Sequence, residues 1–271
     1  MFKLIVCDLD ETLLKKDGTI SKENINAVKL AKKNGIKFVI NTGRSIDSVQ
    51  KLLTSLELNH KANEYVISCN GGIITENSIN EIIYSKTIAN SVVKAILELL
   101  LADSELSIHV TTLNEGYIVN PRKDDLDYMQ SRNVKLKSIS ISELSQLSLT
   151  KVIKIVAMHP DRVKQIELSK KVLKKTNYQV TSTFSSNIYV EFTGLFVNKG
   201  TATKFLSEKL NIMPNEVIAI GDNFNDLAML EYAGFPATVS NGVDEIKRLS
   251  KYVSPYDHEN GVSDIITHLL K

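Results

Sequence analysis

The first dozen residues constrain the chain more than any other stretch. Phe2-Lys3-Leu4-Ile5-Val6-Cys7 is an apolar run of strand length, rich in β-branched residues, and Asp8-Leu9-Asp10-Glu11-Thr12 follows it directly. Such a run predicts a strand buried on both faces, as in a parallel sheet covered by helices on each side. In open sheets of this kind the ligand crevice lies beyond the carboxyl ends of the strands, which is where Asp8 and Asp10 fall. Two like charges about 4 Å apart repel by roughly 4 kcal/mol at an effective dielectric near 20. The pair therefore needs a cation or strong donors beside it, unless the loop is solvated and the two aspartates merely cap the next turn.

The segments that follow repeat the strand-helix alternation. Ser21 is a suitable N-cap for a helix running to about Asn34, with Gly35 as a left-handed C′ residue. Ile25, Val28, Ala31 and the flanking Leu30 keep the helical period, and Lys22, Lys29, Lys32 and Lys33 occupy the other side. Lys37-Phe38-Val39-Ile40 is a second short strand, ending in Asn41-Thr42-Gly43-Arg44-Ser45 before another helical pattern. A hydroxyl, a glycine and a basic residue between a strand end and a helix start form a candidate anion site. Equally, Ser45 could be only an N-cap and Arg44 only a surface cation.

Tyr65-Val66-Ile67-Ser68 reads as a third strand closing in the Cys69-Asn70-Gly71-Gly72 turn, and a hairpin follows around residues 77 to 80. From about Ser85 the pattern changes to strands and helices that read as a small α+β layer inserted into the first domain. His109 lies in an alternating run there and is read as packing or surface. The chain then returns to α/β units. Lys199-Gly200 stands at a helix start, where a lysine opposes the dipole and is better explained by an anion that it meets. Glu216-Val217-Ile218-Ala219-Ile220 is a buried strand ending in Gly221-Asp222-Asn223-Phe224-Asn225-Asp226, the second acidic strand end.

Composition limits the partners. With 33 basic and 31 acidic residues the formal charge is only +2, which gives no reason to expect a nucleic-acid or membrane partner. No apolar run approaches the roughly 18 residues of a spanning helix, and no leader pattern opens the sequence, so a cytoplasmic protein is expected. Cys7 and Cys69 are too few for a disulfide scaffold and read as reduced core thiols. A length of 271 residues favours two domains over one.

Asp8-Leu9-Asp10-Glu11-Thr12-Leu13-Leu14, Thr42-Gly43-Arg44, Lys199-Gly200 and Gly221-Asp222-Asn223-Phe224-Asn225-Asp226, in this order, resemble the four motifs of haloacid dehalogenase-type phosphatases. The insertion after the third strand resembles the Cof-type subfamily, and Asn70-Gly71-Gly72 and Asn260-Gly261-Val262 fall where that subfamily has its turns. The resemblance implies a Rossmann-like parallel-sheet α/β core, residues 1–83 and 189–271, with a smaller inserted α+β cap domain, residues 84–188. Two departures stand out. Glu11 replaces the usual Gly or Asp and is expected to turn to solvent, and Pro255 and His258 lie in a closing segment that is elsewhere more acidic.

The residue types then suggest the chemistry. Phosphate monoester hydrolysis must bring an oxygen nucleophile to a dianion, so the site has to supply positive charge and in-line geometry. Asp8 is the candidate nucleophile, and Asp10 the candidate acid and base, with a pKa raised by neighbouring carboxylates. Asp8, Asp222 and the carbonyl of Asp10 form an oxygen-only set suited to Mg²⁺, with Asp226 one helical turn on orienting the ion's hydration shell. Leu9, Thr42, Gly43, Lys199 and Asn225 are expected to hold the phosphoryl oxygens, and Arg44 either the substrate or the loop. The expected substrate is a small phosphorylated metabolite, above all a sugar phosphate, with the cap closing over it and no obligate protein partner implied. A phosphomutase using the same aspartyl-phosphate and a non-catalytic sugar-phosphate sensor are the competing readings.

Overall fold

The computed structural model describes residues 1–132, 134–146 and 151–270. The chain forms two compact units, Met1–Tyr84 with Asn198–Lys271, and Ser85–Val197.

The first unit begins with β1 (Leu4–Cys7), followed by α1 (Lys22–Lys33), β2 (Lys37–Asn41), α2 (Ile46–Ser55), β3 (Tyr65–Ser68), β4 (Ile73–Glu76) and β5 (Glu81–Ser85). Ser21 caps α1 by accepting from the Asn24 amide, and Gly35 takes a φ of 76°, so the predicted boundaries hold. The inserted unit contains α3 (Asn90–Leu100), β6 (Ser107–Thr112), β7 (Gly116–Val119), α4 (Lys123–Ser131), β8 (Lys137–Ser138), α5 (Ile141–Gln146), β9 (Val152–Met158), α6 (Arg162–Lys175), β10 (Val180–Ser185) and β11 (Tyr189–Gly194). The first unit resumes with α7 (Lys199–Lys209), β12 (Val217–Ile220), α8 (Leu227–Tyr232), β13 (Phe235–Thr238), α9 (Asp244–Leu249), β14 (Tyr252–Val253) and α10 (Gly261–Leu269). Among the described residues no helix is long and apolar enough to cross a membrane.

The first unit's sheet runs β14-β13-β12-β1-β2-β3-β4-β5, with β1 parallel to both β12 and β2. Alternation along β1 sends Ile5 and Cys7 into one apolar layer with α1, α2 and α10, and Leu4 and Val6 into another with α7, α8 and α9. Burial on both faces is why β1 carries no polar residue; each such side chain contributes about 1.5–3 kcal/mol. Register then decides where the chemistry falls. Cys7 lies opposite Ile220 on one side and Ile40 on the other, so the segments beginning Asp8, Gly221 and Thr42 leave the sheet together at the carboxyl ends of the strands.

The inserted unit's sheet runs β10-β11-β9-β6-β7-β8. Ile108, Val110, Ile155, Ala157, Val190 and Phe192 join Val92, Val93 and Ile96 of α3 and Leu168 and Val172 of α6 in one core. The alternate residues of the same strands form the other face, where His109 and Tyr189 bond Asp125 (2.7 and 2.6 Å) and Lys154 meets Glu191 (2.8 Å) beside a small apolar cluster of Val156, Met158 and Tyr189. His109 therefore braces α4 to its own sheet. One expected boundary moves. Tyr189–Gly194, placed with the core when the core is taken to resume at 189, pairs antiparallel with β9 and β10 and belongs to the inserted unit, which ends at Val197. Local pattern marks a strand but does not name its neighbour.

Candidate active site

Lys199 is the centre of the site. Its side chain is fully buried, and its ammonium donates to Asp8 Oδ1 (2.5 Å) and Asp226 Oδ1 (2.6 Å). The anion expected to offset a lysine at a helix start is thus a pair of carboxylates. Asn198 secures that start: its side chain accepts from the Thr201 amide, and Thr201 returns a bond to the Asn198 N–H. Asn41, at the end of β2, donates through Nδ2 to the Lys199 carbonyl (3.0 Å) and Thr203 Oγ1 (3.1 Å), fixing the first turn of α7 beside the strand ends.

Asp226 is committed on both oxygens, because Oδ2 accepts from the amides of Asp222 (3.0 Å) and Asn223 (3.2 Å). Glycine is required at 221, since a Cβ there would lie 2.5 Å from Asp226 Cγ. Thr12 Oγ1 donates to Asp222 Oδ1 (2.5 Å). Among the described residues, no hydrogen bond reaches Asp8 Oδ2 or Asp222 Oδ2. Asp8, Asp222 and Asp226 each place a carboxylate oxygen within 4.8 Å of the others.

The electrostatics follow from burial. Desolvation, outweighing the attraction of Lys199, raises the Asp8 carboxyl from 3.8 to about 7. Desolvation followed by the charges of Asp8 and Asp226 raises Asp222 from 3.8 to about 9, against the Thr12 bond. The same two carboxylates, Asp226 first and then Asp8, raise Lys199 above its ordinary value even though burial opposes its charge. One ammonium therefore does not neutralise three buried carboxylates. A hard divalent cation held by the carboxylates of Asp8 and Asp222 fits both the oxygen-only donors and the unmet charge.

The remaining expected residues separate into those at this cluster and those beside it. Arg44 makes a two-pronged pair with Asp10, Nε to Oδ2 (2.9 Å) and Nη2 to Oδ1 (2.6 Å), and only 9% of its side chain is exposed. Asp10 thus gives both carboxylate oxygens to a guanidinium, a partner for which the sequence offered no local signal. Thr42 is buried, and its hydroxyl accepts from the Arg44 amide (3.1 Å), which shapes the turn containing the half-buried Gly43. Leu9 is buried and accepts from the amides of Leu13 and Leu14 (both 2.9 Å), so the chain turns sharply after β1. Asn225 is half-buried on the short turn Phe224–Asp226. Glu11 is exposed, as expected, and its φ of 62° explains why glycine suits the position. Sequence reasoning assigned no role to Thr12, although it lies in the first motif, or to Asn41, whose only signal is an amide at the end of an apolar strand.

Comparison with known proteins places this geometry in context. A family model described as haloacid dehalogenase-like hydrolase matches residues 5–266. The 5-amino-6-(5-phospho-D-ribitylamino)uracil phosphatase YwtE of Bacillus subtilis is 30% identical over 293 aligned residues, covering 99% of this chain and 98% of its own. A haloacid dehalogenase-like hydrolase structure from B. subtilis superposes with a TM-score of 0.88 at 27% identity, covering 99% of this chain and all of that one. The fold is also that of the sugar phosphatase BT4131, with a TM-score of 0.84 at 21% identity and 98% of each chain covered.

Proposed function

From the premise that this chain belongs to the haloacid dehalogenase-like hydrolase family and is a phosphatase, we propose that it hydrolyses small phosphorylated metabolites through a phosphoryl-Asp8 intermediate, with Mg²⁺ as cofactor. The observation that carries the reading is the Lys199 ammonium on Asp8 Oδ1, which leaves Oδ2 as the oxygen able to attack phosphorus. A bound Mg²⁺ supplies positive charge to the phosphoryl oxygens and to the carboxylates that burial otherwise protonates.

The protein's own groups divide the remaining work. Asp8 Oδ2 forms the bond to phosphorus as the bond to the leaving oxygen breaks. Asp10 gives that oxygen a proton and later takes one from the attacking water. A phosphoryl dianion arriving near Arg44 competes for the guanidinium, loosening its hold on Asp10 as substrate binds. Lys199, Thr42 and the amides of the strand-end turns stabilise the charge that spreads over the equatorial oxygens. A sugar phosphate or sugar-alcohol phosphate is the proposed substrate class, following the phosphorylated ribityl chain in the name of YwtE's substrate.

Turnover of 4-nitrophenyl phosphate is expected to vanish in EDTA and return with Mg²⁺; release of phosphate at an undiminished rate in the chelator would refute the cofactor assignment. Stability supplies an independent readout. Because the folded-state values of Asp8 and Asp222 are raised, the metal-free protein binds more protons than the unfolded chain above about pH 4. Its stability should therefore be greatest below about pH 4 as far as these groups are concerned, and fall as pH rises through about 7 and then about 9. Mg²⁺ at about 100 times its dissociation constant should add roughly 2.7 kcal/mol at pH 8, an increase in Tm of about 5–10 °C, and far less at pH 5. Equal shifts at both pH values, or none, would count against these carboxylates as ligands.

A further inference from the structure

Neither the catalytic assignment nor the four motifs accounts for the loop between β13 and α9. This loop touches both acidic turns. Asn241 Nδ2 donates to the Glu11 carbonyl (2.7 Å), one residue beyond Asp10, and the Val243 amide donates to the Asp222 carbonyl (2.9 Å). His258, from the closing segment, holds the loop in turn. Its amide donates to Asn241 Oδ1 (2.9 Å), and its buried ring donates through Nδ1 to the Leu14 carbonyl (2.7 Å). Asn24 completes the strap, its Nδ2 donating to the carbonyls of Leu13 (3.3 Å) and His258 (3.2 Å).

We infer that Asn241 is a positioning residue for Asp10: by capturing the Glu11 carbonyl it holds the residue after the acid in a left-handed conformation that aims the Asp10 side chain. Two observations converge on this. Glu11 has a φ of 62°, a region that disfavours a residue with a Cβ, so a contact on its backbone from outside the turn offsets part of that cost. Asn241 meets that same residue's carbonyl from 230 positions away. The first observation alone would describe strain, and the second alone a surface contact. Together they describe a turn held by a distant amide. The inference rests on the assignment of Asp10 as acid and base made above.

The test compares wild type, Asp10→Asn, Asn241→Ala and Asn241→Asp on 4-nitrophenyl phosphate and phenyl phosphate. The two esters have similar shape, but the phenoxide is the more basic leaving group and depends more on proton donation. Asn241→Ala should lower kcat about 10-fold on phenyl phosphate and only about 2-fold on the nitrophenyl ester, with KM nearly constant. Asn241→Asp keeps the acceptor for the His258 amide and removes the donor to Glu11, so it should show the same selective loss. In a Glu11→Gly background, where the left-handed conformation is easily reached, the loss on phenyl phosphate should shrink to about 3-fold.

Equal losses on both esters, a change in KM alone, or a loss indifferent to Gly at position 11 would overturn the inference. If Asp10→Asn itself showed no dependence on the leaving group, the assignment of the acid would fail and this inference with it. A failure of the inference alone would leave the Asp10→Asn pattern intact. Asn241 is exposed, so its variants should fold with a Tm close to that of wild type.

Discussion

Asp8→Asn is expected to reduce kcat by about 10⁴-fold or more, the scale on which loss of a nucleophile is felt. The change is nearly isosteric and removes the one oxygen placed to attack, since a neutral amide cannot form the acyl phosphate. Folding should survive it. Burial already raises Asp8 to about 7, so at neutral pH the metal-free protein gives up a charge that it holds poorly, while Lys199 keeps its bond to Asp226 (2.6 Å). An unchanged or higher Tm with vanishing turnover would separate lost chemistry from lost structure. Residual activity within about tenfold of wild type would remove Asp8 from its proposed role.

Lys199→Met should have the largest effect on stability. The ammonium lies at zero exposure between two carboxylates that are themselves buried. Removing one partner of such an arrangement leaves uncompensated charge at low dielectric, at a cost of about 3–5 kcal/mol. For a chain of this size that corresponds to a fall in Tm of roughly 6–20 °C, measured in EDTA so that no cation substitutes for the lost charge. Methionine keeps much of the volume, so the loss reports charge more than a cavity. The sign with pH is also fixed. Without the lysine the remaining carboxylates titrate higher in the folded than in the unfolded chain, so the defect should be small below about pH 4 and grow as pH rises. A deficit of the same size at pH 4 and pH 8 would mean that packing, and not charge, sets the cost.

Several site features were legible because each is local. The apolar run before Asp8, the turn chemistry after Asn41, the lysine at a helix start and the run from Gly221 to Asp226 each combine a strand or helix signal with a charged terminus. Parallel pairing does the rest: once β12, β1 and β2 are neighbours in the observed register, their carboxyl ends emerge together. It was the resemblance carried by the four motifs, and not any one of them alone, that let the meeting of Asp8, Asp222 and Lys199 be expected.

The partners within the site were not legible in the same way. Arg44 and Asp10 are 34 residues apart, Thr12 and Asp222 are 210 apart, and Asn241 and Glu11 are 230 apart. Each is an ordinary polar residue in its own segment, and nothing within a helical turn or a strand repeat marks its partner. Asp10 shows the consequence: the carboxylates beside it along the chain were its evident neighbours, whereas the folded turn gives both of its oxygens to a guanidinium. The boundary at Tyr189 has the same origin, because strand propensity is a property of the segment while sheet membership is settled by cross-strand contacts with β9 and β10. Apolar periodicity and capping chemistry, acting over a few residues, determined which elements form and where charge would be exposed at their ends. Which charges face one another, and which of them burial leaves unneutralised, was decided only when the sheet registers brought distant segments together, since Coulomb and desolvation energies depend on distance and enclosure in space and not on position along the chain.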